Sequence, residues 1–152
     1  MSARFETDTS QYPLVAVSIP SQRVTDDEIL RFIAGQREML GRRTKHLVLC
    51  DARTGHVLPA TQRKLFGDWL KESQDGTRRY TAGMAVVVDN ALIRGALTAV
   101  LWVVEPACPT KIVATVDDAI TFLTECGERA GLPDVRAKLD ALGIPSSLRV
   151  EA

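Results

Sequence analysis

The stretch Leu47-Val48-Leu49-Cys50-Asp51-Ala52-Arg53-Thr54-Gly55-His56 decides the fold. Its first four residues form an apolar run without polar alternation, and turn-forming residues follow at once. A short unbroken run of this kind predicts a strand covered on both faces, as in a parallel sheet flanked by helices. Similar runs stand on either side, at Leu14 to Ile19, Met84 to Val88 and Ile112 to Ala114. A more alternating segment, Arg4 to Thr9, is expected as an edge strand. The turn residues Ser10-Gln11-Tyr12-Pro13 join it to the first run.

Helical patterns fill the gaps. Thr25-Asp26-Asp27-Glu28 has capping-box spacing, and the helix it opens places Ile29, Phe32, Ile33 and Leu40 on one stripe before Gly41. A second helix is expected to begin near Leu58-Pro59-Ala60 and to bury Leu65, Phe66, Trp69 and Leu70. A third runs from an Asn90 cap through Trp102 and stops before Pro106. A fourth starts at Thr115, buries Val116, Ala119, Ile120 and Leu123, and ends at Gly131-Leu132-Pro133. Strand followed by helix, repeated, is the pattern of right-handed βαβ units. The expectation is therefore an α/β fold. A mainly parallel sheet of four to five strands, with an N-terminal edge strand, carries helices packed around it. Residues 1–131 form this domain. Residues 132–152 form a C-terminal helical tail, with an amphipathic piece from Asp134 to Leu142 and Gly143 as its stop.

Composition narrows the function classes. A chain of 152 residues with 45% hydrophobic content suffices for one folded domain. Its formal net charge is +0, so no global field draws it to nucleic acid or anionic membrane. Cys50, Cys108 and Cys126 form no CxxC pair, and no apolar leader opens the chain; a reducing, cytoplasmic setting is expected. The longest apolar stretch, Ala91 to Val104, contains Arg94, Gly95 and Thr98 and is too short to span a bilayer.

No phosphate-loop, dinucleotide or nucleophile-elbow motif is present. His46 and His56 are the only histidines and stand at no ligand spacing, so neither a metal site nor a cofactor is expected. Cys50, inside an apolar run, reads as a small buried hydrophobe. The basic cluster Gln62-Arg63-Lys64, Lys71 and Arg78-Arg79 reads as a solvated face or an anion site, with Asp68 and Glu72 diluting it against nucleic acid.

Two constellations remain. Ligands of open α/β sheets sit outside the carboxyl ends of the strands. There the loop after Cys50 gathers Asp51, Arg53, Thr54 and His56. Asp51 either caps the turn beside a solvated Arg53 or belongs to a recognition loop. On the third helix, Arg94, Thr98 and Trp102 recur every four residues and share a face. Arg94 in so apolar a helix calls for a carboxylate or carbonyl partner, with Asp51, Asp89 and Glu105 as candidates. That face is either a structural ion pair or simply the solvent face, or else it lines a groove or subunit interface.

Four segments carry a family resemblance: Tyr12-Pro13-Leu14-Val15, the Leu47–Arg53 run, Gln62-Arg63-Lys64 with Asp68-Trp69-Leu70-Lys71, and Leu92-Ile93-Arg94-Gly95-Ala96-Leu97-Thr98-Ala99-Val100-Leu101-Trp102. Over most of residues 10–125 the chain resembles small uncharacterised bacterial proteins of the STAS and SpoIIAA-like superfamily. The resemblance implies a regulatory or ligand-binding role. In the anti-sigma-factor antagonists of that superfamily, a serine or threonine after a strand-end aspartate is phosphorylated. Asp51-Ala52-Arg53-Thr54-Gly55 occupies the comparable place, with one extra residue and Arg53 intruding, and Thr54 as the acceptor. Related lipid-binding domains imply a small apolar or anionic ligand beneath the third helix. The expected function is a non-enzymatic regulatory domain that binds a protein partner or itself as a homodimer. It would use the Asp51–His56 loop and the Arg94, Thr98 and Trp102 face. The alternative is a small-ligand binder, with Trp102 as wall and Arg94 as charge. A hydrolase or transferase using Asp51 and His56 ranks last.

Overall fold

The computed structural model describes residues 5–53, 58–103 and 105–146. Five strands form one sheet in the order β1-β2-β3-β4-β5. They are β1 Glu6–Gln11, β2 Leu14–Ser18, β3 His46–Asp51, β4 Thr81–Val87 and β5 Thr110–Val113. β2 through β5 are parallel neighbours, whereas β1 runs antiparallel to β2. The sheet is thus mixed, which corrects the expectation of a mainly parallel one. Only Tyr12 and Pro13 separate β1 from β2, and so short a connection can join only antiparallel strands. The edge strand also lies later than the alternating segment suggested.

Six helices accompany the sheet: α1 Asp26–Gly41, α2 Ala60–Glu72, α3 Gln74–Tyr80, α4 Ala91–Val103, α5 Val116–Ala130 and α6 Val135–Ala141. The cap at Thr25 forms as its spacing predicts, and Thr115, where a helix start is expected, caps α5 in the same way, each side chain accepting from the backbone N–H three residues on. α5 ends at Gly131 in the left-handed conformation, φ 73°, which a residue without Cβ adopts at little cost. α3 is a helix beyond those expected, and it carries Arg78 and Arg79 of the basic cluster in its last turn.

Alternation along each strand divides the core. Leu14, Leu47, Leu49, Ala85, Val87 and Val113 point to one face and pack with Val116, Ala119, Leu123 and Cys126 of α5 and Val135 and Leu139 of α6. Val15, Val17 and Val48 point to the other face and meet Met39 of α1. α2 then packs on α1 through Leu65, Phe66 and Trp69. Leu70, expected in that stripe, is 64% exposed, because α2 leans chiefly on α1 and α3. This arrangement has a consequence at the far edge. Val86 and Ile112, on the α1 side of β4 and β5, stay half-buried, and α4 is the helix that packs on β5 beside Ile112.

Candidate functional site

The carboxyl end of β3 carries Asp51, and the chain turns back there. The Asp51 carboxylate accepts from the backbone N–H of Arg53 at 3.2 Å and from its Nε at 2.9 Å, through Oδ1. Its Oδ2 accepts from Arg53 Nη2 at 2.9 Å. The result is a two-pronged ion pair folded within one turn. The Arg53 side chain is only 3% exposed, because Nη1 and Nη2 also donate to the carbonyls of Ser146 and Pro145, at 3.2 and 2.8 Å. Bonding to Asp51 pushes the Arg53 pKa further up, so the cation is permanent.

Arg53 is therefore neither solvated nor free to recognise a ligand. It ties the strand end to the segment after α6, where Leu142 and Ile144 pack against the α5-side core. Of the other loop residues expected to act, Thr54 and His56 lie outside the described residues. With both oxygens of Asp51 held by Arg53, the carboxylate already has its proton donors, a poor starting point for a general base.

The α4 face is built differently. Asn90 caps the helix, its Oδ1 accepting from the N–H groups of Leu92 at 3.0 Å and Ile93 at 3.2 Å. Arg94 turns back over this first turn. Its Nη1 donates to the carbonyls of Val88 at 3.0 Å and Asp89 at 3.3 Å. The partner of Arg94 is thus backbone carbonyl and not a carboxylate. Thr98 returns its hydroxyl to the Arg94 carbonyl at 2.8 Å. Both residues face β5, where Ala91, Arg94, Gly95, Thr98 and Ala99 line a shallow groove of about 320 Å³ with Ile112. Trp102 falls in the last turn of α4, and its side chain lies outside the described residues.

The other side of α4 inverts the usual amphipathic rule. Leu92 is 84% exposed, Ile93 45% and Leu97 39%, and Ala96 between them is exposed too. Among the described side chains of α4, these three large aliphatic ones point to solvent, while Arg94 and Thr98 are half-buried. From sequence this outward face is hidden, because apolar residues occupy most of the helix circumference.

The remaining nucleophilic groups are quiet. Burial pushes the Cys50 thiol up to about 12, and burial likewise raises Cys108 and Cys126. Among the described residues, no group of three or more His, Cys, Asp or Glu is placed to hold a metal ion. No described helix is long and apolar enough to cross a membrane. No protein-family model matches the chain, and neither a curated protein nor a solved structure matches it.

Proposed function

We propose that this chain is a non-enzymatic interaction domain, of STAS-like regulatory type and working in the cytoplasm, that docks a protein partner on α4. One observation carries the reading: Leu92, Ile93 and Leu97 present a neighbouring set of aliphatic side chains to water from the most apolar helix. Scattered exposed leucines are ordinary, but a helix that turns its large side chains outward exposes surface whose burial by a partner is favourable. The strand–helix alternation between residues 14 and 130 supports the STAS-like part. The engagement of Asp51 by Arg53 supports the non-enzymatic part. Thr54 follows Arg53 directly, and a phosphate there would place negative charge beside the Asp51–Arg53 pair.

The test compares wild type with Leu92→Glu/Leu97→Glu, each immobilised and exposed to extract of the host. A specifically retained protein should be lost with the charged pair, while the melting temperature stays within a few degrees. An identical retained set on both would sink the docking reading. A second reading, the small-ligand binder, draws on the groove of about 320 Å³ beside Arg94, near the lower size of ligand pockets. A small-molecule adduct in native mass spectra, lost on denaturation and absent in Arg94→Ala, would favour it.

A further inference from the structure

We propose a second site, independent of α4: the cavity where α1, α2 and α3 meet binds the phosphate group of a small soluble phosphate monoester, held by Arg43 and Arg79.

Three elements build the cavity. α1 ends at Gly41, α2 runs into α3 at Ser73, and α3 leads straight into β4 at Thr81. The site therefore lies at the amino ends of β3 and β4, away from the Asp51 loop at the carboxyl end. Its volume is about 380 Å³, and Leu40, Arg43, Trp69, Gly76, Arg79 and Tyr80 stand in its lining. That size falls within the range of small-ligand pockets.

Charge identifies the ligand. The two carboxylates of the lining are already engaged. Glu72 is held by Arg37 at 3.0 Å, and Arg37 also covers the Trp69 ring at 5.4 Å. Asp75 lies 3.6 Å from Arg78. Arg43 and Arg79 form no ion pair and no side-chain hydrogen bond among the described residues, and the Tyr80 hydroxyl has no partner there either. Arg23 and Arg136 are likewise unpartnered, but only Arg43 and Arg79 share this cavity. Two uncompensated guanidinium charges thus stand together. A phosphate monoester brings a charge of about −1.5 to −2 and three acceptor oxygens, enough to accept from both forks. A carboxylate, with one charge and two oxygens, matches only one of them.

Sequence placement supports the same residues. Of the basic cluster along α2 and α3, Arg63 donates to the Leu58 carbonyl and Lys64 to Asp68. Arg79 alone of that cluster lines the cavity, and its companion comes from the end of α1. Arg43 takes a left-handed backbone, φ 54°, at a position after a helix end where glycine is the usual residue. Its backbone N–H donates to the Leu40 carbonyl at 3.1 Å, a bond glycine would make equally well. The fold calls for that backbone conformation but not for the exposed arginine side chain. Cations at the carboxyl ends of α1 and α3 also offset the helix dipoles, a role that needs neither the cavity nor a phosphate.

Amide NMR spectra of the isotope-labelled full chain, titrated with glycerol phosphate at constant ionic strength, separate these roles. Saturable shifts are expected at Gly41, Arg43, Gly76 and Tyr80, with a dissociation constant on the order of a millimolar or below. Arg43→Gly and Arg79→Ala should each weaken binding by about tenfold or more. Arg43→Gly should melt no lower than wild type, because glycine suits the left-handed backbone, so its loss of binding is not a loss of fold. Shifts that never saturate, or that spread over every basic surface residue, mean charge screening only and overturn the site. Saturable shifts that both variants leave unchanged overturn it too. Cosedimentation with phosphatidic-acid vesicles that needs both arginines, with no response to glycerol phosphate, overturns the soluble ligand in favour of a lipid headgroup.

Discussion

Two helices of similar length flank the last two strands of the sheet, and they meet it in opposite ways. α5 lies across β3, β4 and β5 and buries Val116, Ala119, Leu123, Cys126 and Gly127. α4 packs chiefly against β5, and every one of its side chains from Ala91 to Ala99 is exposed or half-buried. Their glycines make the contrast concrete. A Cβ on Gly127 would run into Val135, and one on Gly83 of β4 would stand 2.7 Å from Cys126 Sγ. A Cβ on Gly95 would meet nothing. α5 is held against the sheet at backbone distance, whereas α4 keeps a space open on one side and offers aliphatic side chains on the other. A helix that contributed only to the monomer's stability would turn those side chains inward.

The largest expected effect lies on the α5 side. Leu123 is fully buried in the main cluster, and Leu123→Ala should lower the unfolding free energy by about 3 kcal/mol through lost transfer energy and the cavity left behind. Leu92→Ala, the same truncation on α4, should change monomer stability by less than about 0.5 kcal/mol. Urea unfolding of both, at a concentration where the chain is monomeric, checks the difference. Equal losses would abolish the distinction between the helices.

A smaller loss is expected at Gly83. In Gly83→Ala the new methyl must displace Cys126, whose Cβ would stand 2.8 Å away and cannot swing clear as a long side chain would. Overpacking of this kind costs about 2 kcal/mol. An unchanged urea midpoint would mean that α5 yields easily and is less firmly seated than its contacts indicate.

Acid should also weaken the packed region. His46 is buried, with Nδ1 donating to the Thr44 carbonyl at 3.1 Å and Nε2 accepting from the Thr81 hydroxyl at 3.2 Å. This linkage ties β3 to β4 through a neutral ring. Burial, more than the nearby Arg42 charge, lowers its pKa below the ordinary 6.5, and the hydrogen bond to Thr44 only partly opposes this. A histidine whose folded pKa is depressed binds fewer protons folded than unfolded. Its contribution is complete above about pH 6.5 and is lost as pH falls from there through the lower folded value. Urea midpoints measured between pH 7.5 and pH 5 should fall, and less steeply in His46→Gln. An equal slope in the variant would remove His46 as the cause.

Residue by residue, the sequence is most legible where local signals agree with the packing. The apolar runs at Leu14, Leu47 and Met84 lie in three parallel strands. Thr25 caps the helix its spacing marks, and Thr115 caps the helix expected to start there. Legibility fails where a distant segment decides the outcome. Arg53 is buried by carbonyls 92 and 93 residues away, which no local pattern records. Leu70 loses its place in the core because α2 packs on α1. The direction of α4 is illegible for another reason: a helix apolar around most of its circumference has no preferred side, and the Arg94 bonds to Val88 and Asp89 help orient it.

The smallest expected change is also the one that separates stability from function most cleanly. Gly95 sits mid-helix, where glycine is less favourable than alanine by about 0.5–1 kcal/mol, and the position has room for a methyl group. Gly95→Ala should therefore raise the urea midpoint of the monomer slightly. If the recess serves only the fold, this gain carries no penalty. If it receives part of a docked partner, the same methyl fills part of the space and docking weakens while the monomer gains. A variant that is both more stable and equally able to dock would show that the space at Gly95 is incidental, leaving the aliphatic side chains of α4 as the whole of the contact.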